Sequence, residues 1–418
     1  MRNHSNWKIL LILSIIFILS IVIVTFLTGY WVFLALGAGF LFGFTLQKGD
    51  LCGASAMSEV ILLKDSRKLF GLWIAILSGM IGFTILSNIG IIELAPKKFI
   101  WLSAITGGFI FGIGTVLAGG CVSGCMYKGA SGNINSIVAL LTIPIGISFV
   151  EYGPLKDFSK YLLTYVINDA EGKAITLHSL IGIPHWVITL ILLVITILLV
   201  IKNKSKNKKD NLFDNTISKT KKIFTKSWKP WQAGIAIGII GCIAWLISLP
   251  TGRNYPLGVT HGVNYAYQSV IEGNVKYIYE KPKAVVTNIA IADTLQKTNN
   301  IIMKKNSSQS ISAKTEPRKL NLWLILLSIV ILIGSHISAR MSGQAKLLPK
   351  EPSQTLIAAI GGLLNGIGAA VATGCIVGNI ISAWAMLSVG MFIFGIATLS
   401  GNWITTYFYL IGGKLFNK

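Results

Sequence analysis

The chain has 418 residues, of which 53% are hydrophobic and only 12% charged. An ordinary soluble domain, about a quarter charged, is excluded, and the balance marks an integral membrane protein. The net charge of +22 does not point to nucleic acid, because the lysines cluster in loops beside apolar spans, which is the pattern of positive-inside topology.

Apolar runs long enough to cross a hydrocarbon core of about 30 Å recur along the chain, at roughly 9–28, 31–47, 70–90, 101–118, 134–150, 183–201, 231–249, 320–338, 353–372 and 385–400. The first follows Met1-Arg2-Asn3-His4. It is too long for a signal h-region and lacks a small-x-small cleavage site, so it is expected to stay as a membrane anchor. Lys202 to Lys229 carries ten lysines against Asp210 and Asp214, and the positive-inside rule assigns it to the cytoplasm. Counting spans outward from that loop puts the N-terminus and the C-terminal Lys414 to Lys418 in the cytoplasm as well.

Four apolar pieces are too short to cross: 53–63, 122–130, 257–271 and 376–384. They read as re-entrant half-helices, tolerated in a membrane where protein or a cavity buries their ends. The first two enter from the cytoplasmic side and the last two from outside. The expected fold is therefore an all-α integral membrane protein, a pseudo-symmetric inverted repeat with about ten transmembrane helices and four re-entrant half-helices. Its parts are an extra N-terminal helix (1–30), a first half (31–201), a basic cytoplasmic loop (202–230), and a second half (231–418) with a polar insertion near 273–319.

Three cysteines end glycine-rich segments that resemble one another. Gly39 to Phe44 leads to Cys52, Gly108 to Ile113 leads to Cys121, and Gly361 to Gly366 leads to Cys375. A fourth copy, led by Gly234 to Gly238, has no cysteine and reads Gly252-Arg253-Asn254-Tyr255-Pro256-Leu257-Gly258-Val259-Thr260-His261-Gly262. Each cysteine stands where a half-helix begins. Free backbone N–H groups and the positive dipole end there favour an anion by about 0.3–1 kcal/mol per terminus. A thiolate would repel a dianion, so a neutral S–H is expected to act as a weak donor.

Cys242 lies mid-span, where a free thiol packs as a small hydrophobe. Cys125 shares a helix face with Cys121 at i, i+4, yet the segment offers too few ligands for zinc. No metal or cofactor is expected. Ionisable groups near the breaks are Lys48, Asp50, Glu59, Lys128, Arg253 and His261, functional candidates at membrane depth unless they snorkel to the interface. Polar contacts are available from Asn133, Asn135, Gln344 and Asn379.

Lys48-Gly49-Asp50-Leu51-Cys52, Leu117-Ala118-Gly119-Gly120-Cys121-Val122-Ser123-Gly124, Gly252-Arg253 through Thr260, and Ala372-Thr373-Gly374-Cys375-Ile376-Val377-Gly378-Asn379 resemble the motifs of the YeeE/YedE family of bacterial inner-membrane sulfur-compound transporters. The resemblance runs from about residue 31 onward. It implies thiosulfate uptake, an hourglass of inverted halves, and a path lined by Cys52, Cys121 and Cys375 that hands the anion along by S–H···S contacts. Cys125, Lys48, Arg253, Thr260, His261 and Asn379 are secondary candidates. A cytoplasmic TusA-like sulfur-carrier protein is an implied partner, beside membrane lipid, and nucleic acid is not. The first span, the basic loop and the insertion depart from shorter family members, and some longer relatives are linked to selenium. Two alternatives thus stay open: transport of a selenium species, or a membrane sulfurtransferase passing sulfane sulfur through a cysteine persulfide.

Overall fold

In hydrocarbon a backbone must satisfy its own N–H and C=O groups, and the apolar runs accordingly form helices. The structure, a computed structural model, describes residues 7–169, 172–206, 224–279, 318–347 and 351–412. Ten helical segments among the described residues are long and apolar enough to cross a membrane. In chain order the helices that matter here are α1 (Trp7–Thr28), α2 (Leu34–Gly49), α3 (Gly53–Leu62), α4 (Arg67–Asn88), α5 (Trp101–Leu117), α6 (Val122–Ala130) and α7 (Ile134–Glu151). After the short α8 (Lys156–Leu163) and α9 (Leu177–Ile181) come α10 (His185–Lys206), α11 (Pro230–Ser248), α12 (Thr260–Ile271), α13 (Leu322–Met341), α14 (Pro352–Val371), α15 (Ile376–Ala385) and α16 (Val389–Thr405). Each predicted span corresponds to one of these. Two differ in extent: α12 begins at Thr260 rather than directly after Pro256, and α16 continues as a wider π turn through Ile411.

The tightest packing joins α2 to α13, α4 to α11, α5 to α16, α7 to α14, α5 to α14 and α2 to α11. Exchanging α2–α7 for α11–α16 in order converts this set into itself: α2 with α13 becomes α11 with α4, and α7 with α14 becomes α16 with α5. The short helices follow the same exchange, since α3 packs on α4 and α16 while α12 packs on α13 and α7. The repeated glycines serve these contacts. A Cβ at Gly112 of α5 would lie 2.3 Å from the Thr398 carbonyl oxygen of α16, and one at Gly366 of α14 would lie 2.1 Å from that of Ile143 in α7. Only a residue without a side chain lets the backbones approach so closely.

Helix α1 is mostly exposed and touches α2 and α13 through contacts such as Phe17 on Phe40. The expected polar insertion is bounded by a parallel strand pair, Val275–Ile278 with Arg318–Asn321. Its interior, most of the basic loop and the C-terminal lysines lie outside the described residues.

Candidate functional site

Cys52, Cys121 and Cys375 each occupy the extended residue immediately before the first turn of a short helix, α3, α6 and α15 respectively. None of the three thiols caps its helix, so the first-turn N–H groups remain available. All three side chains are buried. The Sγ atoms of Cys52 and Cys121 are 3.8 Å apart, and Cys121 Sγ also lies 3.4 Å from Ser123 Oγ. Gly124, one residue past Ser123, makes room for the pair, because a Cβ there would lie 2.4 Å from Cys52 Sγ. The start of α3 also meets the start of α15: a Cβ at Gly53 would come within 2.6 Å of the Ile376 side chain. The sequence-distant cysteine turns therefore abut.

A left-handed residue stands two places before each of the three thiols: Asp50 has φ +45°, Gly119 φ +71° and Thr373 φ +57°. For the β-branched Thr373 that conformation is rare. It persists because Asn379 spans the loop, its Nδ2 donating to the carbonyls of Ala372 (3.0 Å) and Gly374 (2.9 Å). At the equivalent turn before Cys121, Asn365 Nδ2 donates to the Gly120 carbonyl at 3.0 Å, and Cys125 Sγ lies 3.4 Å from the same oxygen. Asn379 and Cys125 thus brace turns. Helix α15 opens as a π turn over Ile376–Ser382, a distortion common at functional sites.

Two cavities flank these turns. The one of about 420 Å³ is lined by Lys97, Lys98, Arg253, Tyr255, Thr260, His261, Thr373, Gly374 and Cys375. The other, of about 550 Å³, is lined by Gln47, Asp50, Gly119, Tyr127, Lys128, Ser131, Asn133, Asn135 and Gln344. In the first, Arg253 Nη1 donates to the carbonyls of Tyr255 and Pro256, and its guanidinium stacks on Trp323, 4.9 Å from the ring centre. Burial pushes the Arg253 guanidinium down to about 10 and the Lys97 ammonium down to about 8. Thr260 is buried and its hydroxyl has no protein partner. His261 Nδ1 stands 3.6 Å from Glu151 Oε1.

Lys48 is elsewhere. Its ammonium, fully buried, holds the carbonyl of Phe224 and the Ser342 hydroxyl at 2.7 Å, tying α2 to the end of α13 and to the far end of the basic loop. It is an anchor and lines neither cavity. Asp50 and Glu59 share Lys68, at 2.6 and 2.7 Å. In the cavity beside Cys375, Lys97 and Arg253 both face the space, and neither has a carboxylate within ion-pair distance among the described residues. Sequence reasoning passed over Lys97 altogether. The available signal was topological, since the span count expects Lys97-Lys98, before α5, on the side that the positive-inside rule leaves poor in lysine.

A family model described as sulphur transport matches residues 48–404. The thiosulfate transporter TsuA of Escherichia coli (strain K12) is 28% identical over 371 residues, covering 88% of this chain and 92% of that protein. TsuA of Spirochaeta thermophila is 29% identical over 375 residues, covering 87% and 95%. The probable transporter YedE of Escherichia coli is 29% identical over 133 residues, 31% of this chain and 32% of that protein.

Proposed function

Because the chain belongs to the sulphur transport family, a multi-pass membrane family with relatives named as transporters, we propose that it takes up thiosulfate or a closely related sulfur-containing anion across a bacterial inner membrane by relay along Cys375, Cys121 and Cys52. The observation that carries this reading is the thiol pair at 3.8 Å, set at two helix N-termini, with a cavity at each end and the third cysteine lining one of them. Three such termini offer a dianion about 1–3 kcal/mol in total. That is enough to attract it and too little to trap it. A terminal sulfur accepts from S–H, so the thiols discriminate a sulfur-bearing anion from an all-oxygen one.

The packing that survives exchange of the two halves supports an inverted repeat with α3, α6, α12 and α15 as half-helices. Gln344 Nε2 donates to Ser227 at 2.9 Å, and Gln47 Nε2 donates to Gln344 at 2.6 Å. The larger cavity therefore shares an end with the residues that close the basic loop, which supports assigning that cavity to the cytoplasm. A TusA-like carrier would receive its sulfur there.

The test is uptake of radiolabelled thiosulfate in a bacterium lacking its own importers, with sulfate, sulfite and selenite as competitors. Thiosulfate should compete far better than sulfate. Equal competition by sulfate would remove the thiosulfate assignment, and preferred uptake of selenite would replace it with the selenium alternative.

A further inference from the structure

Two lysines hold corresponding points of two of the three cysteine turns, those before Cys375 and Cys121, although they come from unrelated places in the sequence. Lys97, in the loop before α5, donates from Nζ to the Thr373 carbonyl at 2.6 Å and to Asn379 Oδ1 at 2.7 Å. Lys128, in the last turn of α6, donates from Nζ to the Gly119 carbonyl at 2.6 Å and to Ser55 Oγ at 2.9 Å. Thr373 and Gly119 are the left-handed residues two places before Cys375 and Cys121. Each ammonium thus sits on the same carbonyl of its own turn. Each also lines the cavity on its own side, of about 420 and 550 Å³.

Bracing a turn does not require a charge. A neutral amide donates to a carbonyl as well, and a full cation at partial burial is costly without a carboxylate. Neither lysine has one within ion-pair distance among the described residues. Each ammonium carries three N–H donors, two of which are engaged by protein, so one is left over beside each cavity. The buried Thr260 hydroxyl, which has no protein partner, lines the space that Lys97 faces, so a second group at that site has hydrogen-bonding capacity that the protein does not use.

We propose that Lys97 and Lys128 are a matched pair of anion-positioning residues, one at each mouth of the path, each fixed by the turn carbonyl so that its free donor presents the anion to the cysteine that follows. This rests on the transport reading above. Lys97, with Arg253 and the Thr260 hydroxyl, collects the anion beside Cys375, and Lys128 holds it beside the Cys121–Cys52 pair before release.

Membrane vesicles of both orientations, prepared from cells expressing the full chain, separate the two ends. In right-side-out vesicles Lys97→Gln should raise the half-saturating thiosulfate concentration about tenfold, the loss of ~1.4 kcal/mol of attraction, and by more than Lys128→Gln does. In inside-out vesicles the two variants should exchange behaviour. Two variants that lower only the amount or the maximal rate, equally in both orientations, would show turn bracing alone and overturn the pair. If a Gln variant fails to accumulate, Lys97→Arg decides. Burial pushes the Lys97 ammonium, which faces Arg253, the Tyr255 ring and Cys375, down to about 8, so wild-type half-saturation should rise above that pH and the arginine variant should stay flat. The same rise in both would also overturn it. Wild-type vesicles that take up no thiosulfate would sink the transport reading and the pair with it, whereas wild-type uptake with unaltered variants sinks the pair alone.

Discussion

Cys242 and Cys121 are both thiols inside a helical membrane protein, and their neighbours separate them. Cys242 sits within α11 with its sulfur against the backbone of α4, where a Cβ at Gly82 would come within 2.1 Å of Sγ; it fills a space. Cys121 faces another thiol at a helix start. Cys242→Ala should therefore leave uptake within about twofold, a loss of less than ~0.5 kcal/mol. Cys52→Ala, Cys121→Ala and Cys375→Ala should each abolish most uptake while the protein still purifies as a folded species. Equal activity in all four would mean that the thiols only pack. Cys121→Ser is the sharper variant, because a hydroxyl keeps the donor and the shape but discards the contact to sulfur. Competition by thiosulfate over sulfate should shrink in it, and an undiminished preference would remove the thiols from substrate recognition.

At the scale of the element, the glycine-rich leads and the cysteines that end them have separate tasks. Gly366 has no room for a methyl group, with a carbonyl oxygen 2.1 Å from where the Cβ would stand, whereas Gly37, in α2, has nothing within 4 Å. Pushing packed backbones apart costs about 1–3 kcal/mol. Gly366→Ala should lower the thermal unfolding midpoint in detergent by several degrees, and Gly37→Ala should leave or slightly raise it, since alanine is the better helix former. A harmless Gly366→Ala would mean that α7 and α14 are not in the close contact described. The short helices carry a related lesson: α15 starts as a π turn, and that wide turn sets where the N–H groups after Cys375 point.

For the whole molecule, the two cavities sit at opposite ends of one set of turns, and the cytoplasmic placement proposed above for the basic loop carries a prediction of which cavity faces which side. The loop's far end reaches Lys48, Gln344 and the larger cavity. An impermeant maleimide applied to intact cells should thus modify a cysteine introduced at Lys98, beside the smaller cavity, and should reach one introduced at Gln354, beside the larger, only after permeabilisation. The opposite pattern would invert the topology and exchange the entrance with the exit.

Hydrophobic length alone was enough to locate the spans and the short helices at Gly53, Val122 and Ile376, because a bilayer permits few backbone solutions and each demands a run of fixed length. The repeated Gly-to-Cys spacing likewise marked where helices break, since glycine and a helix start are local matters. What only the tertiary structure decided is what surrounds each break. The 3.8 Å approach of Cys52 to Cys121, the meeting of Gly53 with Ile376, and the turn-bracing places of Cys125 and Asn379 depend on how α3, α6 and α15 pack against α4, α7 and α16. Lys97 shows the limit most plainly. Its loop has no periodicity and no motif, and it reaches the turn before Cys375 only because folding carries it across 276 residues of chain to the Thr373 carbonyl. Local sequence specifies the elements through backbone hydrogen bonding and apolar length, while a site assembled from distant loops is specified by packing between helices, which no single segment records.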